Sequence, residues 1–262
     1  MRQPEYEFSG RSTKTSYYVL ACDVGRRQCD TVICVFKVNP QPTGATIITM
    51  PNIFTMTDAH FEDQAIKLKK LYFKYKAKSI VVDGNGLGIG LVDYMVKQQT
   101  DPDTGDVLPD FGVENDDDGE YKKYRSDICE ENALFIIKAN APINTEAHAT
   151  ARSELASGHV KFLIDERVAK VKLLGTKRGQ EMKPEERAEY LKPFTLTSIL
   201  KEEMMNLREE NEGVNIILKQ ANKSIKKDKF SAFEYGLYYI KQIEDGKRKK
   251  KKRRFSEMLF MN

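Results

Sequence analysis

Three apolar, β-branched runs follow one another before any helical pattern begins, and this constrains the fold more than anything else in the chain. Tyr17–Ala21 (YYVLA), Thr31–Val38 (TVICVFKV) and Thr46–Phe54 each read as a strand. Turn-forming residues lie between them: Val24-Gly25-Arg26-Arg27, then Pro40, Pro42 and Gly44. Strands joined by such short turns pair antiparallel, so the chain should open with a meander. A helical pattern comes next, with Phe61, Ala65, Leu68, Tyr72 and Tyr75 on one face and Lys67, Lys69, Lys70, Lys74 and Lys76 over much of the rest. Thr57 is its expected N-cap.

From there strands and helices alternate. Ser79–Val82 and Ala133–Ala139 read as buried strands, Val160–Ile164 as a short strand and Val214–Leu218 as another. Helices are expected over Gly90–Val96, over Asn144–Ser157 with Gly158 at its end, from Glu185 with an interruption at Pro193, and over Asp228–Ile243. Thr197 should cap the helix bearing Leu200, Met204 and Leu207, with Gly213 stopping it. Residues 171–184 read as a basic loop. The order predicts an α/β domain over 17–246 whose mixed sheet combines an antiparallel meander with parallel strands, flanked by helices. A polar lead-in (1–16) and a basic C-terminal tail (247–262) complete the expected organisation.

Composition narrows the class. The 262 residues are 40% hydrophobic and 31% charged, too apolar for a disordered chain. No run approaches the ~20 apolar residues of a membrane helix, and MRQPEYEFSG lacks the apolar core of a signal peptide. Cys22, Cys29, Cys34 and Cys129 form no CxxC pair and the three histidines are scattered, which argues against a disulfide framework or a Cys/His zinc site and for a cytoplasmic protein. The net charge of +4 conceals an asymmetry. Residues 221–262 hold 13 Lys and Arg against 5 Asp and Glu, ending in eight consecutive basic residues from Lys247 to Arg254. Residues 101–120 hold nine acidic residues and no basic one, and read as a surface loop. The basic tail suits phosphate neutralisation, although a solvated end is the plainer reading.

Three aspartates stand where a parallel sheet gathers its ligands. Asp23 ends the first strand, Asp83 ends the strand after the first long helix, and Asp228 opens the last helix. Each alone is explained as well by turn or helix-start chemistry. Together, if the first and fourth strands are parallel neighbours, they make one carboxylate pocket that a cation must neutralise. Hard oxygen ligands favour Mg²⁺ or Mn²⁺, and two such ions suit phosphodiester hydrolysis. Arg26, Arg27, Lys226 and Lys227 flank this pocket and are candidates for positioning DNA phosphates. Gly84, Gly86, Gly88 and Gly90 read as a turn into a helix rather than a phosphate loop, and Tyr235–Tyr239 as core. His148 and His159 read as boundary residues, with Glu234 facing away from Asp228.

Asp23-Val-Gly-Arg-Arg-Gln-Cys-Asp30-Thr-Val resembles the first motif of the nuclease domain of phage terminase large subunits. Ser79-Ile-Val-Val-Asp83-Gly-Asn-Gly-Leu-Gly resembles the second, and Lys227-Asp228-Lys-Phe-Ser231-Ala-Phe-Glu-Tyr-Gly-Leu the third. The likeness spans about residues 17–243, with the motifs in order. It implies an RNase H-like fold and a two-metal endonuclease that cuts concatemeric double-stranded DNA during genome packaging, in the host cytoplasm. It also implies Asp23, Asp83 and Asp228 as metal ligands, Asp30 as an auxiliary acidic residue, and a packaging ATPase domain, portal and small terminase subunit as partners. Ser231 stands where some relatives have another aspartate, which weakens a four-carboxylate site. No GxxxxGK[ST] loop is present, so ATP-driven translocation is not expected of this chain, which reads as an excised domain or split gene product. A junction resolvase or transposase-like enzyme and a non-catalytic DNA-binding packaging module are the alternatives. A sugar-kinase or actin-like ATPase would need further nucleotide-binding loops.

Overall fold

The computed structural model describes residues 15–26, 29–42 and 44–259. The meander forms as expected: β1 (Tyr17–Asp23) pairs antiparallel with β2 (Asp30–Pro40), and β2 with β3 (Thr46–Thr57). Helix α1 (Phe61–Tyr75) then carries the chain back, so that β4 (Ala77–Asp83) lies beside β1 and parallel to it. After α2 (Leu87–Met95) comes a two-stranded ribbon, β5 (Gln99–Thr100) with β6 (Val107–Leu108). The edge strand β7 (Phe111–Val113) follows, then β8 (Glu130–Ile137), which runs parallel to both β4 and β7. Helix α3 (Ala141–Ala156) leads to the short β9 (Val160–Lys161), which extends the sheet parallel to β3. Helices α4 (Glu166–Leu174), α5 (Lys177–Glu181) and α6 (Pro184–Met205) precede an isolated hairpin, β10 (Leu207–Glu212) and β11 (Asn215–Gln220). Helix α7 (Asp228–Leu259) ends the described chain.

The seven-stranded sheet has the order β7-β8-β4-β1-β2-β3-β9. A meander with parallel strands added on the β1 side is the RNase H-like arrangement. Both faces are covered, which explains why the central strands are apolar throughout rather than alternating. Val19, Ala21, Cys34 and Phe36 face one layer with Phe233 and Leu237 of α7. Leu20, Cys22, Ile33 and Val35 face the other with Leu68 of α1 and Leu91 of α2. Burying each of the larger aliphatic or aromatic side chains stabilises the fold by about 1.5–3 kcal/mol.

Several local expectations need correction. Thr57 is the last residue of β3, not a helix cap; Asp58 turns the chain with φ 52°, and α1 begins only at Phe61. Lys69 is buried, with its Nζ donating to the Lys97 carbonyl at 2.5 Å. The acidic block is not wholly a surface loop: Phe111 and Val113 sit in the core as β7, and Asp101 and Asp110 are buried. Residues 171–184 are mostly helical, because Asp165 and Thr176 cap α4 and α5, and Leu173 packs with Leu191 and Phe194. Helix α6 runs unbroken through Pro193, whose carbonyl accepts from Thr197 Oγ1 at 2.7 Å, so Thr197 caps nothing. Gly213, with φ 61°, turns the β10–β11 hairpin instead of stopping a helix. The backbone of α7 stays helical through the basic run to Leu259, beyond the expected end at Ile243.

Candidate metal centre

The centre is built from two strand ends and one helix start. β1 and β4 are in register with Cys22 opposite Val82, so Asp23 and Asp83 follow side by side at the same edge. Asp83 is held by its own turn: its Oδ1 accepts from the Asn85 N–H at 3.0 Å. Gly84 N–H ties the same turn to the Ile137 carbonyl at 2.7 Å. A side chain at Gly88 would collide with the Asp83 carbonyl, so glycine there lets α2 start directly beneath the strand end. The loop after Asp23 is fastened by Thr31 Oγ1 and Gln64 Nε2, both donating to the Gly25 carbonyl at 2.9 Å.

Asp228 comes from the other layer. Helix α7 lies against β1 and β2, and Gly236 permits the approach, since a Cβ there would overlap the Phe36 ring and stand 3.1 Å from Ala21 Cβ. Phe233 packs against the same ring with centroids 6.2 Å apart. Cys34 Sγ, in the middle of β2, reaches the Lys229 carbonyl at 3.8 Å. These contacts seat the first turn of α7 over the strand ends.

The three aspartates share one electrostatic environment. Burial pushes the Asp23 carboxyl up to about 7; the charges of Asp228 and then Asp83 add to this, Lys227 opposes it, and Glu203 adds a little more. Burial also raises Asp83, against the pull of the Asn85 N–H. The Tyr235 phenol feels the same charges, raised by burial and then by Asp83, Glu234 and Asp23. Its hydroxyl donates to Asn144 Oδ1 at 3.2 Å. Among the described residues, no group of three or more His, Cys, Asp or Glu side chains is drawn together closely enough to cage an ion as it stands. The donor set nonetheless fits a hard divalent cation. It offers carboxylate oxygens only, and their mutual repulsion is already marked at Asp23.

The basic candidates divide. Arg26 lies over the Phe61 ring, 4.9 Å from its centroid, with Nη2 3.3 Å from His60 Nδ1. Lys226 Nζ stands 3.5 Å from Asp30 Oδ2, while Asp30 Oδ1 accepts from Thr57 Oγ1 at 2.6 Å. The Thr57 hydroxyl holds Asp30 below the usual carboxylate range, burial opposes it, and the Lys226 charge and hydrogen bond then add to the lowering. Asp30 thereby braces Lys226 against the end of β3. Lys227 is exposed, and its charge reaches both Asp23 and Glu234. Arg27 lies outside the described residues.

Two features escaped the sequence. Glu203 and Lys229 form a buried ion pair at 3.2 Å beneath the head of α7. His148 Nδ1 meets Glu234 Oε2 at 2.5 Å, so Glu234 faces α3 rather than the aspartates. A glutamate in an acidic helix, or a lysine in a basic stretch, reads as surface; only the packing of α6 on α7 reveals the first pair.

No family model matches the chain, and no curated protein matches it. Solved structures do. The chain is similar to phage large terminase nucleases. Against that of thermophilic phage G20c with bound magnesium, the TM-score is 0.48 at 13% identity, covering 86% of this chain and 82% of that one. The same nuclease with bound cobalt gives 0.49 at 12%, with the same coverage. The nuclease domain of Thermus phage P74-26 gives 0.44 at 13%, covering 84% of this chain and 78% of that one. The likeness is one of chain course and assigns no residue a role.

Proposed function

We propose that the chain is a divalent-metal-dependent endonuclease for double-stranded DNA, the cutting part of a viral genome-packaging terminase. The observation that carries this reading is the convergence of Asp23, Asp83 and Asp228. Two in-register strand ends and a helix start present carboxyls whose charges are felt together at Asp23. Asp23, Asp83 and Asp228 would hold Mg²⁺ or Mn²⁺, two ions in the full site. When bound, these ions supply the Lewis acidity that phosphodiester hydrolysis requires.

The chain's own residues do the rest. The turn at Asn85 and the seat of α7 keep the carboxylates aimed at one place before substrate arrives. Lys227, Lys226 and Arg26 stand on the β1, β2 and α7 side of the pocket, where they would neutralise backbone phosphates and set the duplex across it. Contacts of this type carry no base information, so cleavage of low sequence specificity is expected. The packaging ATPase domain, portal and small subunit enter this proposal through the motif resemblance alone. So does the choice of concatemeric DNA as substrate.

The test is nicking of supercoiled plasmid in Mn²⁺, repeated in EDTA and with Asp23→Ala, Asp83→Ala and Asp228→Ala. Each control should lose at least 100-fold in rate, or roughly 3 kcal/mol of transition-state stabilisation. Folded variants that still nick at the wild-type rate would end the assignment. Preference for a four-way junction over linear duplex would favour a resolvase instead.

A further inference from the structure

We infer that Glu203 is a positioning residue for the carboxylate centre: it sets Asp228 at the head of α7 and keeps the Lys229 cation from competing with a divalent ion. The inference rests on the metal reading above and extends it to a residue in a different helix.

Glu203 lies in the last turn of α6 and is 1% exposed. One carboxylate oxygen accepts from the Phe230 backbone N–H at 3.0 Å, and the other takes Lys229 Nζ at 3.2 Å. Both partners follow Asp228 directly in the chain. A single side chain from outside α7 thus fixes the backbone of its first turn and neutralises the cation that directly follows the aspartate. A charged acceptor on a helix-start N–H is favourable twice over, through the bond and through the helix dipole. Three residues on, Asn206 fastens the segment that enters α7. Its Nδ2 donates to the Asn222 carbonyl and its Oδ1 accepts from the Asn222 N–H, each at 2.8 Å. The end of α6 therefore grips the start of α7 from both sides.

A purely structural clasp would need only an acceptor at position 203, and glutamine supplies one. The charge has a separate consequence, because Glu203 and Asp228 influence each other and Glu203 also acts on Asp23. Without the carboxylate, Lys229, which is 5% exposed, remains as an unpaired buried cation beside a site that must attract cations.

Glu203→Gln keeps the shape and the Phe230 bond and removes the charge. Mn²⁺ binding to the full chain, followed by calorimetry, should weaken about 10-fold, as for other supporting groups around metal ligands. The Mn²⁺ concentration for half-maximal plasmid nicking should rise in parallel, with nicking at saturating Mn²⁺ within about 3-fold of wild type. Lys229→Gln removes the competing cation and should tighten Mn²⁺ binding. This opposite sign separates charge from packing and carries the test alone if Glu203→Gln does not fold. Wild-type affinity in folded Glu203→Gln, or binding no tighter than wild type in Lys229→Gln, would overturn the inference while leaving the nuclease reading in place. A wild-type chain that neither binds Mn²⁺ nor nicks removes both.

Discussion

At the scale of single residues, Asp23 carries a charge its surroundings resist. Its carboxyl titrates near 7 in the fold, against an ordinary value of 3.8. The neutral form is therefore favoured in the folded state. Stability from this group is fully present below about pH 4 and is lost as pH rises through 7. Asp23→Asn should then be more stable than wild type in EDTA at pH 8, by on the order of 2–4 kcal/mol, with the gap closing toward pH 4. Urea unfolding at the two pH values checks this, and a constant gap would remove the electrostatic explanation. Asp23 was legible from the sequence because an apolar run ends on it. Lys69 was not: on the α1 wheel it falls among lysines, yet it points under Phe111 and bonds a carbonyl of the segment after α2. Nothing local marks one lysine among five as buried.

At the scale of elements, the long strands and α3 were readable because their apolar periods are strong and their ends carry turn or capping residues. The failures have physical causes. β7 hides in an acidic block because charge dominates composition while only Phe111 and Val113 need burial. β10 reads Leu-Arg-Glu-Glu-Asn-Glu, polar after its first residue, and is held as a strand by pairing with β11 rather than by its own propensity. Pro193 leaves α6 intact because the packing of Phe194, Leu196 and Leu200 outweighs one missing N–H. A close contact that bears directly on the site is Gly236 against Phe36 and Ala21. Gly236→Ala should gain about 1 kcal/mol of helix propensity and lose more to overpacking, because Phe36 is fully buried and cannot swing away. We expect a net destabilisation of about 1–2 kcal/mol by thermal unfolding. Nicking should fall further than the unfolded fraction explains, since the displaced helix carries Asp228. Wild-type nicking per folded molecule would show that the seat of α7 is not limiting.

At the scale of the whole molecule, charge and topology work together. The sheet order follows from the sequence as far as the meander, β4 and β8, since crossovers leave few alternatives. The flanking β7 is too short to announce itself, and β9 is read as a strand from the sequence without a place in the sheet. The same order distributes the charges. Asn115 clamps the acidic loop to the end of β8 by two bonds to Ile136, at 2.8 and 3.0 Å. Exposed Asp117, Asp118 and Glu120 therefore lie on the β8 side of Asp83, while Arg26, Lys226 and Lys227 lie on the β1, β2 and α7 side. On the proposed reading, a duplex would be repelled from one flank and drawn to the other. The basic run from Lys247 is a different matter. Helix α7 rises about 1.5 Å per residue, which puts residue 250 about 30 Å or more along the helix from Asp228. On the proposed reading, that distance would separate recruitment from chemistry. Replacing Lys226 and Lys227 by glutamine should weaken DNA binding and also slow nicking at saturating DNA. Replacing the basic residues from Lys249 to Arg254 by glutamine should weaken binding and flatten its salt dependence by nearly one unit of slope per lost phosphate contact, with nicking at saturating DNA unchanged. Filter binding over a salt series, beside nicking at high DNA concentration, distinguishes the two. A tail variant that loses nicking at saturation would place the end of α7 at the cleavage site rather than remote from it.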